Sequence, residues 1–249
     1  TINIVIMILI IVGGIGFLTW DDICTNRWHF KKYRMQSKVI LVTSVILIIV
    51  PAIFFFLFDF TGLPPGEKIL ASLFQSVTPR TAGFNTADLT AMTESSKAIM
   101  ILLMLVGGSP GSTAGGIKTT TLAVLILNAF SVCRKKNDTE VYGRRLECSA
   151  VKSASTIAVI YFLLFFIGGI IISTAEGMPL SACLYETASA VGTVGLTLGV
   201  TPQLSVLSQL ILIVLMYLGR VGGLTLIYAA ISNKNQSGAK LPLEKITVG

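Results

Sequence analysis

The sequence predicts an all-α polytopic membrane protein assembled from repeated units, each a helix, a half-length helix, a glycine-containing strand and a further helix. Three observations carry this. Of the 249 residues, 53% are hydrophobic and only 12% are charged, about half of the roughly 25% charged residues of soluble domains. Apolar runs of bilayer length recur, a spanning helix needing about 20 mostly apolar residues. The chain also overlies itself when shifted by 112 residues, Thr81 falling on Thr193.

The apolar segments are residues 2–20, 39–60, 94–132 with an interruption, 153–175 and 203–232. Thr1 opens directly on the first, with no basic region and no cleavage site, which argues against a signal peptide and for a start inside a longer chain. Basic residues then orient the segments. Arg27, Lys31, Lys32, Arg34 and Lys38 follow the first; Arg134, Lys135, Lys136, Arg144, Arg145 and Lys152 follow the third; Lys234, Lys240 and Lys245 follow the last. If every segment crosses once, these share one side, and only Lys68, Arg80 and Lys97 face the other. The positive-inside rule puts that basic side, with the C-terminus, in the cytoplasm. The net charge of +7 is thereby explained as membrane orientation, with no need of a nucleic-acid partner.

Two shorter semi-apolar pieces, 67–77 and 179–190, are each about half a membrane long and each precede a glycine-containing polar stretch. They read as extracellular loops or as re-entrant helices, and the repeat decides for the second. Under the same shift Thr81-Ala82-Gly83-Phe84-Asn85 falls on Thr193-Val194-Gly195-Leu196-Thr197, and ILLMLVGG (101–108) falls on IVLMYLGR (213–220). MILIIVGG (7–14) resembles the end of the same unit's last helix. The predicted organisation is therefore 1–38, the last helix of a preceding unit with a cytoplasmic loop; 39–152, a unit with the first strand, a broken helix and a cytoplasmic loop; and 153–249, the final unit with the second strand and a cytoplasmic C-terminus.

A half-helix followed by T-x-G suits a cation filter. Glycine removes the Cβ, so the strand can turn its carbonyl oxygens to an axis and replace an ion's water shell, as in the potassium-channel loop Thr-Val-Gly-Tyr-Gly. The candidate filter residues are Thr81, Ala82, Gly83, Phe84 and Asn85, and Gly192, Thr193, Val194, Gly195, Leu196 and Thr197. The units are thus potassium-channel-like and expected to surround a central pore. The half-helices run inward, so the negative ends of their dipoles favour a cation at mid-membrane. Gln75 and Glu186, near those ends, are expected to hydrogen-bond the filter backbone from behind. Arg80 fits either an outer vestibule or a support for the filter. About four strands complete such a ring, and this chain supplies two.

The stretch GGSPGSTAGGIKTTT (107–121) admits three readings. A nucleotide loop of the form G-x-x-x-x-G-K-[ST] needs lysine directly after the glycine; here Ile117 separates Gly116 from Lys118, and no strand precedes. A surface loop would leave 94–106 and 118–132 too short to span. The third is a break in one long helix at membrane depth, tolerated only where protein or water satisfies its backbone. Pro110 removes a donor and five glycines weaken the helix. This reading makes Gly107, Gly108, Ser109, Pro110, Gly111, Ser112, Thr113, Ala114, Gly115 and Gly116 a displaceable plug under the filter. Lys118 is expected to snorkel, cap or gate this plug. Arg220, which the repeat sets opposite Gly108, is the candidate electrostatic barrier.

TPRTAGFNT with GGSPGSTAGGIKTTT, then GTVGLTLG, LGRVGGLT and a terminal LEKITVG, resemble the Trk/Ktr/HKT superfamily of potassium transporters, most closely its Ktr-type membrane subunits. The resemblance covers essentially the whole chain. It implies four such units around one pore, of which this chain would hold the last two and the end of a third. It also implies uptake of K⁺ across the plasma membrane, with Na⁺ as coupling ion or as an alternative conducted ion. The loop 107–116 would obstruct the pore below the filter, and an arginine at the position of Arg220 would face the cavity. The partners implied are a second copy in a homodimer and a cytoplasmic ring of nucleotide-binding RCK subunits of the KtrA type. No enzyme activity, catalytic residue or organic cofactor is expected, nor any metal beyond K⁺ in the filter. Cys24, Cys133, Cys148 and Cys183 lack metal-ligand spacing and are expected to be reduced and structural.

Overall fold

Apolar runs divided by glycine, proline and short polar stretches become, in the computed structural model, a set of helices with scarcely any sheet. The structure describes residues 2–222 apart from positions 28 and 137. In chain order these are α1 (Ile2–Ile15), α2 (Phe17–Asn26), α3 (Met35–Phe58), α4 (Pro65–Val77), α5 (Glu94–Leu105), α6 (Thr119–Cys133), the hairpin β1 (Glu140–Val141) and β2 (Arg144–Arg145), α7 (Cys148–Glu176), α8 (Leu180–Val191) and α9 (Val206–Val221).

Local chemistry sets the boundaries. Pro65 opens α4, a first-turn position where its missing N–H costs nothing. Gly177, in the left-handed conformation, closes α7. The two later N-caps are built alike. Thr93 caps α5 by accepting from Ser96 N, and Ser205 caps α9 by accepting from Ser208 N. Each cap is also held by a carboxylate from the preceding long helix. Asp59, just past α3, accepts from Thr93 N at 3.1 Å and from Ser96 Oγ. Glu176, ending α7, accepts from Ser205 N at 3.0 Å and Ser208 Oγ at 2.5 Å. Thr93 and Ser96 lie 112 positions before Ser205 and Ser208 (205 − 93 and 208 − 96), so the register of the sequence repeat holds at the caps.

Among the described residues only α3 and α7 are single helices long and apolar enough to cross a membrane, with α1 and α2 a third crossing if a bent pair counts as one. Segment 2–20, expected as one straight span, bends by 95° between α1 and α2. The cause is Gly16, at φ +87°, whose missing Cβ would lie 2.5 Å from Pro110 O. Segment 94–132 breaks as expected, into helices of 12 and 15 residues. In segment 203–232 the helix begins at Val206, and the part beyond 222 lies outside the described residues, as do Lys234, Lys240, Lys245 and the terminal LEKITVG. The hairpin in the basic loop 134–152 was not expected. All four cysteines are free, but only Cys183 is buried, so a structural role by packing fits that one alone.

The half-length helices sit inside. α8 packs between α5, α7 and α9, burying Tyr185, Ala188 and Val191 against Met100 and Met104 of α5, Tyr161 of α7 and Leu215 of α9. α4 packs on α1 and α3, with Phe74 and Val77 against Met7. The outer faces are the reverse of a soluble protein: Ile46 and Ile53 of α3, Phe162 and Ile167 of α7 and Leu207 and Tyr217 of α9 are exposed. Lipid or a neighbouring subunit, not water, suits them.

Replacing Asp59 by Ala should cost about 1–3 kcal/mol, because it strands Thr93 N and the buried Ser96 hydroxyl. Asp21→Ala, which breaks only an exposed pair with Arg34, should cost under about 1 kcal/mol. Thermal unfolding of the two variants in detergent checks the contrast.

Candidate functional site

After α4 and after α8 the chain makes the same unusual turn. Thr81 and Thr193 have φ of 62° and 52°, and Gly83 and Gly195 have φ of 73° and 94°. A β-branched residue in the left-handed region is a strained outlier, of the kind that costs about 1–3 kcal/mol and persists where its surroundings impose it. Here it occurs twice, two residues before a left-handed glycine each time.

The amides of both turns point back into the half-helices. Ala82 N and Gly83 N donate to Thr78 O at 3.3 and 3.2 Å. Thr193 N donates to Ala190 O at 3.0 Å, Val194 N to Ser189 O at 2.8 Å and Gly195 N to Ser189 Oγ at 3.1 Å. With the N–H groups turned away, the carbonyls of Thr81, Ala82 and Gly83, and of Thr193, Val194 and Gly195, accept no hydrogen bond among the described residues. The Thr193 hydroxyl is buried and likewise without a partner. The two turns meet: a Cβ on Gly83 would lie 2.1 Å from Val194 O. The candidate filter residues of both stretches are thus brought together.

Glu186 is buried behind the second turn, where it accepts from Thr197 Oγ1 at 2.6 Å, Leu198 N at 3.1 Å and Thr201 Oγ1 at 2.6 Å. Glu186 thus braces the chain just past the second turn, and its contacts do not include the backbone of 192–197, which it was expected to bond. Gln75 departs from its expectation: it donates to Met100 Sδ at 3.0 Å and leaves the first turn to Thr78, whose hydroxyl donates to Phe84 O. Arg80 is buried, with Nη2 3.4 Å from Ser44 Oγ of α3. It also lines a cavity with Thr81, Ala82 and Phe84, so it lies beside the first turn.

The segment between α5 and α6 lies directly against both turns. A Cβ on Gly115 would fall 2.2 Å from Thr193 Oγ1, and Thr81 and Ala82 share a cavity of about 330 Å³ with Thr113, Ala114 and α1. Gly107, Gly108, Ser109, Ala114, Gly115 and Gly116 are buried, Pro110 and Ser112 half-buried, and Gly111 and Thr113 exposed. This burial excludes a plain surface loop. Part of its backbone is paired by protein. Val106 and Ile117 form a parallel bridge, with Gly107 N donating to Ile117 O and Ile117 N to Leu105 O. Ser109 N donates to Gly14 O, Gly116 N to Gly219 O and Phe17 N to Gly111 O. Of the two cations, Lys118 Nζ donates to Ala114 O and Arg220 Nη1 to Thr113 O. Arg220 thus meets Thr113 and not Gly108, its counterpart in the ungapped repeat.

Two contributors were not foreseen. Gly14 and Gly16 at the α1–α2 bend hold the loop, and the likeness of MILIIVGG to ILLMLVGG was the available signal for their proximity. Thr201 joins Glu186 from beyond the repeated motif, and nothing in the sequence pointed to it.

The chain is similar to known cation transport proteins. The family model TrkH, described as a cation transport protein, matches residues 1–238. The chain is 36% identical to the potassium/sodium uptake protein NtpJ of Enterococcus hirae over 98% of its own length and 56% of that protein. It is 35% identical to the Ktr system potassium uptake protein B of Bacillus subtilis over 100% and 57%. The fold is similar to the crystal structure of the potassium transporter TrkH from Vibrio parahaemolyticus, with a TM-score of 0.75 at 20% identity, over 92% of this chain and 52% of that one. The chain spans about half the length of the curated relatives it matches. A match over nearly all of the sequence, including both turns and the buried loop, makes this chain a member of the TrkH family of cation transport proteins, a transporter family and not an enzyme family.

Proposed function

We propose that this chain is part of the ion-conducting subunit of a potassium uptake system in the plasma membrane, with its basic loops and C-terminus on the cytoplasmic side. The observation that carries the reading is the set of six carbonyls, Thr81–Gly83 and Thr193–Gly195, without hydrogen-bond partners beside the free Thr193 hydroxyl. Of these residues only Val194 is buried and the rest are half-buried or exposed, so the free acceptors at converging turns are open to a ligand. A dehydrated monovalent cation has the right chemistry: it takes oxygen ligands and no donors.

On this reading 39–152 and 153–249 are two helix–pore-helix–filter–helix units around a central pore, and 1–38 ends a preceding one. Residues Thr81–Asn85 and Gly192–Thr197 supply two strands of the filter. Gly107–Gly116 is the gate, tethered by Lys118 and Arg220, and Arg220 adds an electrostatic barrier to cations below the filter. The names of the Ktr relatives support a multi-component system, and we extend this to a homodimer carrying cytoplasmic RCK subunits of the KtrA type that bind a nucleotide. NtpJ is named a potassium/sodium uptake protein, which favours Na⁺ as a second conducted or coupling ion.

Replacing Gly83 or Gly195 by Ala should lower the Rb⁺-to-Na⁺ flux ratio in vesicles about tenfold. A Cβ at positive φ costs about 1–2 kcal/mol, and about 1.4 kcal/mol is one decade. An unchanged ratio at normal expression would sink the filter assignment. Arg220→Gln removes both the loop tether and the barrier and should raise basal Rb⁺ flux, while Arg220→Lys, which keeps the charge, should restore most of the block. A flux that falls or stays level in Arg220→Gln counts against the gate.

A further inference from the structure

The two half-helices are alike in backbone and opposite in charge. At the end of α4 stands Arg80; 112 positions on, at the end of α8, stands Gly192. Within α8 stands Glu186; 112 positions back, within α4, stands Phe74. Each half-helix with its turn thus carries one buried charged side chain that its counterpart lacks, and the signs differ. Both are 5–7% exposed.

Their surroundings differ too. Glu186 is fully engaged by two threonine hydroxyls and the Leu198 amide. Arg80 has only one long hydrogen bond to Ser44 Oγ, its Nε has no partner, and no carboxylate pairs with it among the described residues. A buried charge without compensation is costly, so its retention calls for an interaction with something other than a fixed side chain. Two such things are near. The C-terminal carbonyl end of α4 carries a negative partial charge that favours a cation, and Arg80 begins the turn whose carbonyls we assign to the ion.

Resting on that filter assignment, we propose that Arg80 is an affinity-setting residue, a resident cation that offsets the α4 dipole and weakens ion binding at the Thr81–Gly83 strand. Glu186 leaves the opposite strand attractive, so the ion's path is polarised from one side to the other. The value of such a device is release. Two attractive half-helices would hold a dehydrated ion tightly, whereas conduction needs binding weak enough to let it leave. Arg80 does not touch the ion; it acts through the field, as a positioning and specificity residue.

The test uses the full-length protein in vesicles, with Rb⁺ flux and its block by Ba²⁺, a divalent ion of similar size. A unit charge about 10 Å away at an effective dielectric near 20 changes the affinity of a monovalent ion by roughly tenfold, and of a divalent one by roughly the square of that, about a hundredfold. Arg80→Gln should therefore lower the KM for Rb⁺ about tenfold and the Ba²⁺ blocking constant about a hundredfold, while Arg80→Lys stays near the parent. Unchanged constants in a normally expressed Arg80→Gln protein overturn the proposal. So do equal shifts for the two ions, or matching losses in Arg80→Gln and Arg80→Lys, which a packing role produces. If Gly195→Ala alters ion selectivity while Arg80→Gln shifts neither constant, this inference alone fails; if Gly195→Ala has no effect, the filter assignment fails with it.

Discussion

A backbone polar group at membrane depth needs a partner from protein or from a water-filled cavity, because the surrounding hydrocarbon offers none. The rest of this structure is arranged around that requirement at one place, the glycine-rich segment between α5 and α6. A regular helix meets it automatically. A broken one meets it only if other elements bring donors and acceptors to the break. Here α1 brings Gly14 O, α2 brings Phe17 N, α9 brings Gly219 O, and the segment pairs with itself through Val106 and Ile117. Lys118 and Arg220 cover the carbonyls of Ala114 and Thr113. The segment is consequently buried, ordered by its neighbours, and joined to several helices that end near it.

The same constraint gives the two turns their meaning. Their amides are consumed by the half-helices, so six carbonyls are left without hydrogen-bond partners among the described residues. The strain at Thr81 and Thr193 is what this orientation requires, since an extended strand would point alternate carbonyls to opposite sides. Packing supports the strain: α8 is enclosed on three sides, and Glu186 ties the chain beyond the second turn to the half-helix before it. A turn held only by solvent would relax.

Much of this was legible in the residues. Low charge and long apolar runs announced a membrane protein, and the 112-residue shift located both turns. The caps keep the same register, although their carboxylate partners Asp59 and Glu176 do not (176 − 59 is 117). The Gly-rich segment was readable as a break because proline and glycine weaken a helix wherever they stand. Less legible were features that depend on contact between distant segments. The bend at Gly16 exists because Pro110 crowds it, and a glycine in an apolar run carries no sign of such a neighbour. Gln75 turned to Met100 because α5 lies within its reach, which periodicity does not report.

By itself the sequence determined which stretches are helical, where helices cannot continue, and that two glycine turns share one design. These follow from local propensity and from a repeat, both of which are written along the chain. Only the tertiary structure decided that the turns face each other, that Arg220 meets Thr113 and not its counterpart in the repeat, and that Arg80 is buried with its charge unanswered. Those depend on distances between residues far apart in sequence. Such distances arise from how helix faces pack, and packing is a property of the assembled surfaces.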